Sequence, residues 1–176
     1  MTDLSQAEYA SLRQTIRERG TARLCAVLAG LAAWGALAIA LHITRLGGGL
    51  TLVPFVVLAA TFEINFFVHT GVERIGRFIQ VFYEERAGAA GWETIAMNYG
   101  VKFPGGGLDP LFSMIFAAAA ILNFVSSLAV AQRGPGWIAL SLLAHLAFAY
   151  RIVTARKLSG AQRALDLDRF RSLRQE

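Results

Sequence analysis

Four long apolar blocks set the pattern of this chain. They cover residues 22–43, 51–70, 111–132 and 136–155. Each is close to the roughly 20 residues an α-helix needs to cross a hydrocarbon core of about 30 Å. The apolar positions fill the blocks continuously instead of recurring at amphipathic spacing, so each block is predicted to be a membrane-spanning helix.

The first block carries small residues at spacing four. Ala22, Ala26 and Gly30 form one ridge and Ala32, Ala36 and Ala40 another, as close helix contact in lipid requires. Ala38-Ile39-Ala40 resembles a signal-peptidase site. The polar region ahead of it is long and mixed in charge, however, and three apolar blocks follow, so the block is read as a span. Thr44 to Leu50, with three glycines, is a short loop. Pro54 falls in the first turn of the second block, where a missing N–H costs little.

The second block does not stop where the bilayer would. Its helical pattern runs on to Arg86, first apolar, then mixed with charge. Residues 87–109 form the following loop. AGAAG should break the helix. Trp92, Ile95, Ala96 and Tyr99 then recur at i, i+3, i+4 and i+7, which predicts a short helix with an aromatic face at a membrane interface. Asp109 and Pro110 have the residue types of an N-cap and a first helical position. Gly105 to Gly107 near Lys102 is read as a turn, because the G-x-x-x-x-G-K-[ST] phosphate loop is absent.

The two ends are polar and helix-prone. Residues 1–20 predict a cytoplasmic amphipathic helix, with Tyr9, Leu12 and Ile16 on one face and Arg13, Arg17 and Arg19 elsewhere. Ser5 and Glu8 match a capping box. Such a helix lies on anionic headgroups or packs on the protein's own cytoplasmic side. Residues 156–176 form a basic tail, with Ser159 as a candidate cap.

Composition agrees with the pattern. The chain of 176 residues is 55% hydrophobic and 16% charged, with mean hydropathy +0.48, against about a quarter charged in soluble domains. The net charge of +5 does not point to nucleic acid, because the basic residues flank the apolar blocks. Cys25 is the only cysteine, which excludes an internal disulfide. Heavy use of Ala, Gly and Arg with little Lys suggests a GC-rich bacterium and its inner (plasma) membrane.

Charge also orients the spans. With the N-terminus inside, fifteen basic residues fall on the inner side and only Arg45 and Arg133 on the outer. The positive-inside rule then places both termini in the cytoplasm. The expected fold is an all-α, four-helix integral membrane bundle flanked by amphipathic helices.

The candidate chemistry sits on the second helix. Thr61, Asn65, His69, Glu73 and Arg77 follow at spacing four, and Glu63, Thr70, Arg77 and Glu84 at spacing seven. At 100° per residue they make one continuous polar stripe. Lipid cannot solvate it, so it must face other helices or water. Glu73 and Arg77 have the favourable order for an i,i+4 pair, and His69 can meet Glu73 likewise. Glu63, Asn123 and His145 lie roughly 18, 18 and 14 Å into their spans at 1.5 Å per residue, all in the middle third.

Several readings compete for the stripe. The preferred one is structural: interhelical hydrogen bonds and ion pairs that fix packing. A second is a proton- or ion-coupled path through Glu63, Asn65 and His69, with His145 opposite. A third, a metal site from Glu63, His69, Glu73 and His145, lacks the usual ligand spacings. An intramembrane enzyme, or a lipid-headgroup site at Arg74 and Arg77, completes the set. No catalytic signature, cofactor motif or paired cysteine is present in the sequence. The expected function is therefore a non-enzymatic scaffold or accessory subunit in a homo- or hetero-oligomeric membrane complex. Arg13, Arg17, Arg74, Arg163 and Arg169 would supply the lipid- or partner-facing surface.

Overall fold

The computed structural model describes residues 3–88, 91–103, 110–130 and 134–176. The described residues form helices and connecting turns, with no strand among them. In chain order they are α1 (Asp3–Thr44), a 3-10 turn (Gly48–Thr51), α2 (Leu52–Ile79), a π turn (Gln80–Glu84), α3 (Glu85–Ala87), α4 (Trp92–Lys102), α5 (Pro110–Val130) and α6 (Pro135–Gln175). Three helical stretches are long and apolar enough to cross a membrane: Ser5–Thr44, Gly49–Ala87 and Pro135–Gln175. A shorter apolar stretch lies over Ser113–Ala129 in α5. Gly105 to Gly107, Asp109 and Arg133 lie outside the described residues.

Two of the expected helix boundaries do not exist. The amphipathic segment and the first span are not separate helices, because α1 passes through Gly20 and Thr21 without a break. A single glycine costs a helix interior only about 1 kcal/mol, and the Thr21 hydroxyl returns its hydrogen bond to the Arg17 carbonyl. The tail is likewise not a new helix capped by Ser159, since α6 continues through Ser159 and Gly160. Ser5, too, lies inside α1, which begins at Asp3. The second long helix ends at Ala87, where Gly88 takes φ 68°, the left-handed conformation that glycine adopts without strain.

The chain divides into two compact units. One comprises Met1–Arg23, Phe67–Asp109 and Lys157–Glu176, and the other Leu24–Phe66 and Pro110–Arg156. The second unit is built on aromatic packing. Its core gathers Val27 from α1, Leu58 and Phe62 from α2, Phe116, Ala119 and Ala120 from α5, and Phe148, Ile152 and Ala155 from α6. Phe62 meets Phe116 and Phe148 edge-on, with ring centroids 5.2 and 5.5 Å apart, the geometry the ring quadrupoles favour. Gly30 packs so closely on Thr61 that a Cβ there would fall on the threonine side chain. The close approach of α1 to α2 therefore depends on that glycine.

The first unit is built on ion pairs. Phe78, Phe82 and Phe170 supply an aromatic cluster, with Phe78–Phe82 centroids 4.7 Å apart. Around it Arg77, Gln80, Glu84, Ser159 and Asp166 are buried.

Candidate functional site: the polar face of the second helix

Along α2 Thr61, Asn65 and Arg77 of the polar stripe are turned inward, whereas the Glu63 side chain is 49% exposed. Asn65 is 0% exposed, whereas Ile64 beside it is 52% exposed. That is the reverse of a soluble helix and suits a surface solvated by lipid.

In the aromatic unit, Glu63 accepts a hydrogen bond from Arg151 Nη2 at 2.8 Å. The Arg151 guanidinium lies 4.7 Å from the Phe66 ring centroid and 5.9 Å from that of Phe62, within cation–π reach. Arg151 is a site residue that the periodicity of α2 does not reveal, because it belongs to the apolar block 136–155. The available signal was an arginine at the end of an apolar block, in a chain whose membrane blocks contain a single acid, Glu63.

The same unit holds a neutral chain of hydrogen bonds across three helices. Trp34 Nε1 donates to Asn123 Oδ1 at 2.9 Å, Asn123 Nδ2 lies 3.1 Å from His145 Nε2, and His145 Nδ1 lies 2.7 Å from the Ser141 carbonyl. An indole N–H can only donate, which makes the asparagine oxygen the acceptor and its NH₂ the donor. His145 Nε2 must then accept, so its proton sits on Nδ1 and is given to Ser141. Every member is satisfied with a neutral imidazole. Asn123 and His145 are thus brought together, and Glu63 is not part of their cluster but pairs with Arg151. A cavity of about 20 Å³ beside Asn123, lined also by Thr51, Ser126 and Ser127, has room for one water molecule.

In the ion-paired unit the lower stripe meets partners from α1, α4 and α6. His69 Nε2 lies 3.8 Å from Glu73, and Arg23 lies 3.4 Å from His69 Nδ1. Glu73 accepts from both nitrogens of the Arg163 fork and from the Ser159 hydroxyl. Arg74 pairs with Asp166 at 3.2 Å. Arg77 does not take the expected i,i+4 partner. It donates to Gln80 and, at 3.2 Å, to Glu93 of α4, while Glu73 is engaged by Arg163. Burial pulls the Arg77 guanidinium below its usual value despite these carboxylates.

Glu84 is the joint between α2 and α4. The N-cap of α4 is Gly91, which has no side chain to offer. Glu84 supplies the cap from a distance, accepting from the Glu93 and Thr94 backbone N–H groups at 2.9 and 2.8 Å and from the Thr94 hydroxyl at 2.7 Å. A Cβ at Gly91 would fall on the Glu84 carboxylate, so the close approach requires glycine. Burial pushes the Glu84 carboxyl up. The Thr94 hydroxyl, the two backbone donors and Arg13 outweigh it and hold the group below the ordinary carboxylate range. Glu84 lies in a π turn, a helix form often kept at functional positions. Arg13 closes the network, donating to Glu93 at 2.6 Å and to the Tyr9 hydroxyl at 3.1 Å. Glu93 left one trace in the sequence: it is the only acid of α4 and stands in its first turn, where the helix dipole favours negative charge.

Near the start of α1, Ser5, Glu8, Phe78, Phe82, Tyr83 and Arg86 line an open cavity of about 640 Å³. Burial and a hydrogen bond to Glu8 push the Tyr83 phenol up to about 12. Of the five arginines expected at a lipid or partner surface, Arg13, Arg74 and Arg163 are engaged in ion pairs. Arg17 and Arg169 are exposed. Among the described residues no group of three or more His, Cys, Asp or Glu side chains is placed to hold a metal ion.

No protein-family model, curated protein or solved structure matches the chain.

Proposed function

We propose that the chain is a four-span integral protein of a bacterial inner membrane, with both termini cytoplasmic, and that it serves as a non-enzymatic scaffold or accessory subunit of a membrane complex. Two independent partitions support the topology. Charge counting assigns the N-terminal segment, the loop after the second span and the tail to one side of the membrane. The same three segments make up one compact unit, Met1–Arg23, Phe67–Asp109 and Lys157–Glu176.

The observation that carries the functional reading is where the stripe's charges go. Glu63 is paired with Arg151, Glu73 with Arg163, and Arg77 with Glu93. Charges already joined to partners in the same chain stabilise its packing. The outward surfaces are what remains for other molecules. Leu28, Ile39 and Ile43 of α1, Ile121 and Val125 of α5 and Leu143 and Leu146 of α6 are exposed, and they would meet lipid or the spans of partner subunits.

The test is crosslinking in intact cells followed by purification from the membrane. A defined homo-oligomer or hetero-complex is the expected product. A monomer with no captured partner would remove the reading. Proton flux in reconstituted liposomes that disappears in Glu63→Gln would replace it with transport.

A further inference from the structure

The helix α4 is amphipathic with its sides reversed. Its only acid, Glu93, faces the protein and is tied to Arg13 and Arg77, and its first amides are held by Glu84. Its large apolar residues face outward instead. Trp92 is 69% exposed, Ile95 55%, Tyr99 53% and Phe103 49%. At 100° per residue Trp92, Ile95, Ala96 and Tyr99 fall within an arc of about 100°, and Phe103 is the residue just past the end of the helix. Lys102 flanks that arc and lies 5.7 Å from the Phe103 ring centroid. The face therefore combines tryptophan, tyrosine and aliphatic bulk with a cation at its margin, and its acid has been withdrawn to the other side.

We infer that α4 is an interfacial foot, with Trp92, Ile95, Tyr99 and Phe103 inserted at the headgroup–acyl boundary of an anionic lipid surface and Lys102 held among the phosphates. The inference rests on the membrane reading above. Its occupant is chosen by chemistry. Tryptophan and tyrosine are enriched at this boundary because their rings are apolar with one polar atom. An in-plane helix buries its apolar face about 5–10 Å deep, matching the reach of these side chains, and basic residues at the margin add attraction to anionic lipid. Chain length permits it: six residues lie between Phe103 and Pro110, and the seven steps reach at most about 25 Å at roughly 3.6 Å each. The ion pairs on the inner side give α4 a second role within the ion-paired unit. They fix its rotation, so that the aromatic face is presented as a rigid surface.

The experiment uses the full chain reconstituted in vesicles of phosphatidylcholine and phosphatidylglycerol in equal parts, with bromine placed either shallow or deep on the acyl chains. Trp34→Phe with Trp137→Phe leaves Trp92 as the sole emitter. Its emission should be quenched more by shallow than by deep bromines, and should be shielded from aqueous iodide. Quenching by iodide with no effect of bromine overturns the inference, as does shielding from both, which would mean that protein covers the face. Trp92→Phe with Trp137→Phe isolates Trp34 in α1 as the control. Quenching of Trp34 without that of Trp92 removes the foot and leaves the spans standing, whereas loss of both removes the membrane reading itself. Because Trp34 bonds Asn123, a second measurement leaves it in place. A nitroxide at Ala96→Cys, in a Cys25→Ser background, should collide more with oxygen than with a water-soluble nickel chelate; the opposite ranking overturns the inference.

Discussion

The two units share three helices and are held together by different chemistry. In the aromatic unit, α2 buries Leu58 and Phe62 against Phe116 and Phe148. Its polar contacts are mainly neutral, running from Trp34 through Asn123 and His145 to Ser141. The ion pair Glu63–Arg151 is partly exposed there, with its guanidinium lying over Phe66 and Phe62. In the ion-paired unit α2 and the π turn after it bury Arg77 and Glu84, which are met by Arg13, Glu93 and Thr94. The contrast follows from the solvent each stretch would meet. Lipid gives no hydrophobic drive between helices, so close packing and neutral hydrogen bonds carry association there. Water solvates charge, so a network of ion pairs can be assembled beside it when its members are paired and hydrogen-bonded.

The largest expected effect separates the two units. Glu93→Ala leaves Arg77 buried without its carboxylate and removes the closest acid from Arg13. Breaking a buried pair in this way costs about 3–5 kcal/mol. Amide exchange should accelerate within residues 71–103 and stay unchanged over the apolar spans. Equal acceleration in both regions would erase the distinction drawn here.

Asn123→Leu should produce the converse pattern at smaller scale. It removes the acceptor of Trp34 and the donor to His145, and interhelical hydrogen bonds in membranes average about 0.6 kcal/mol, reaching about 1.7. A modest fall in melting temperature in lipid, with a shift in Trp34 emission and no change in exchange at Glu93 or Thr94, is the expected result.

Acid should mildly loosen the Glu84 cap of α4 in the ion-paired unit. The Glu84 carboxyl titrates lower in the folded protein than its ordinary value of 4.5. Its contribution is therefore complete above 4.5, and it is lost as the pH falls through the lower folded value. The amides of Glu93 and Thr94 should lose exchange protection in that acidic window, and Glu84→Gln should remove the pH dependence.

Much of the architecture could be read from the sequence, because long apolar blocks leave few alternatives to helices. Helix continuity could not. Gly20 and the Ser159-Gly160 step look like boundaries, and nothing local says that the flanking turns will carry on through them. The polar face was visible on α2 because period and composition both mark it. Its partners were hidden for a physical reason. Short spacing suggested Glu73 with Arg77, and His69–Glu73 does form at spacing four, but the other ion pairs of the face join residues 16 to 92 apart, as Arg77–Glu93 and Arg74–Asp166 show. Those pairings are set by how the helices pack, which local periodicity does not encode. Glu84 was visible as a stripe member, and its capping of α4 depends on the approach of Gly91.

The most direct test of the account is topology. Single cysteines at Ala10, Asn98 and Ser172, and at Gly47 and Gly134, each in a Cys25→Ser background, would be labelled in sealed inner-membrane vesicles of known orientation with a maleimide that cannot cross the bilayer. The account predicts that the first three react from the cytoplasmic face and the last two only from the opposite face. Reaction of Gly47→Cys or Gly134→Cys from the same side as Ala10→Cys would contradict four spans, and the assignment of the ion-paired unit to one aqueous compartment would fall with them.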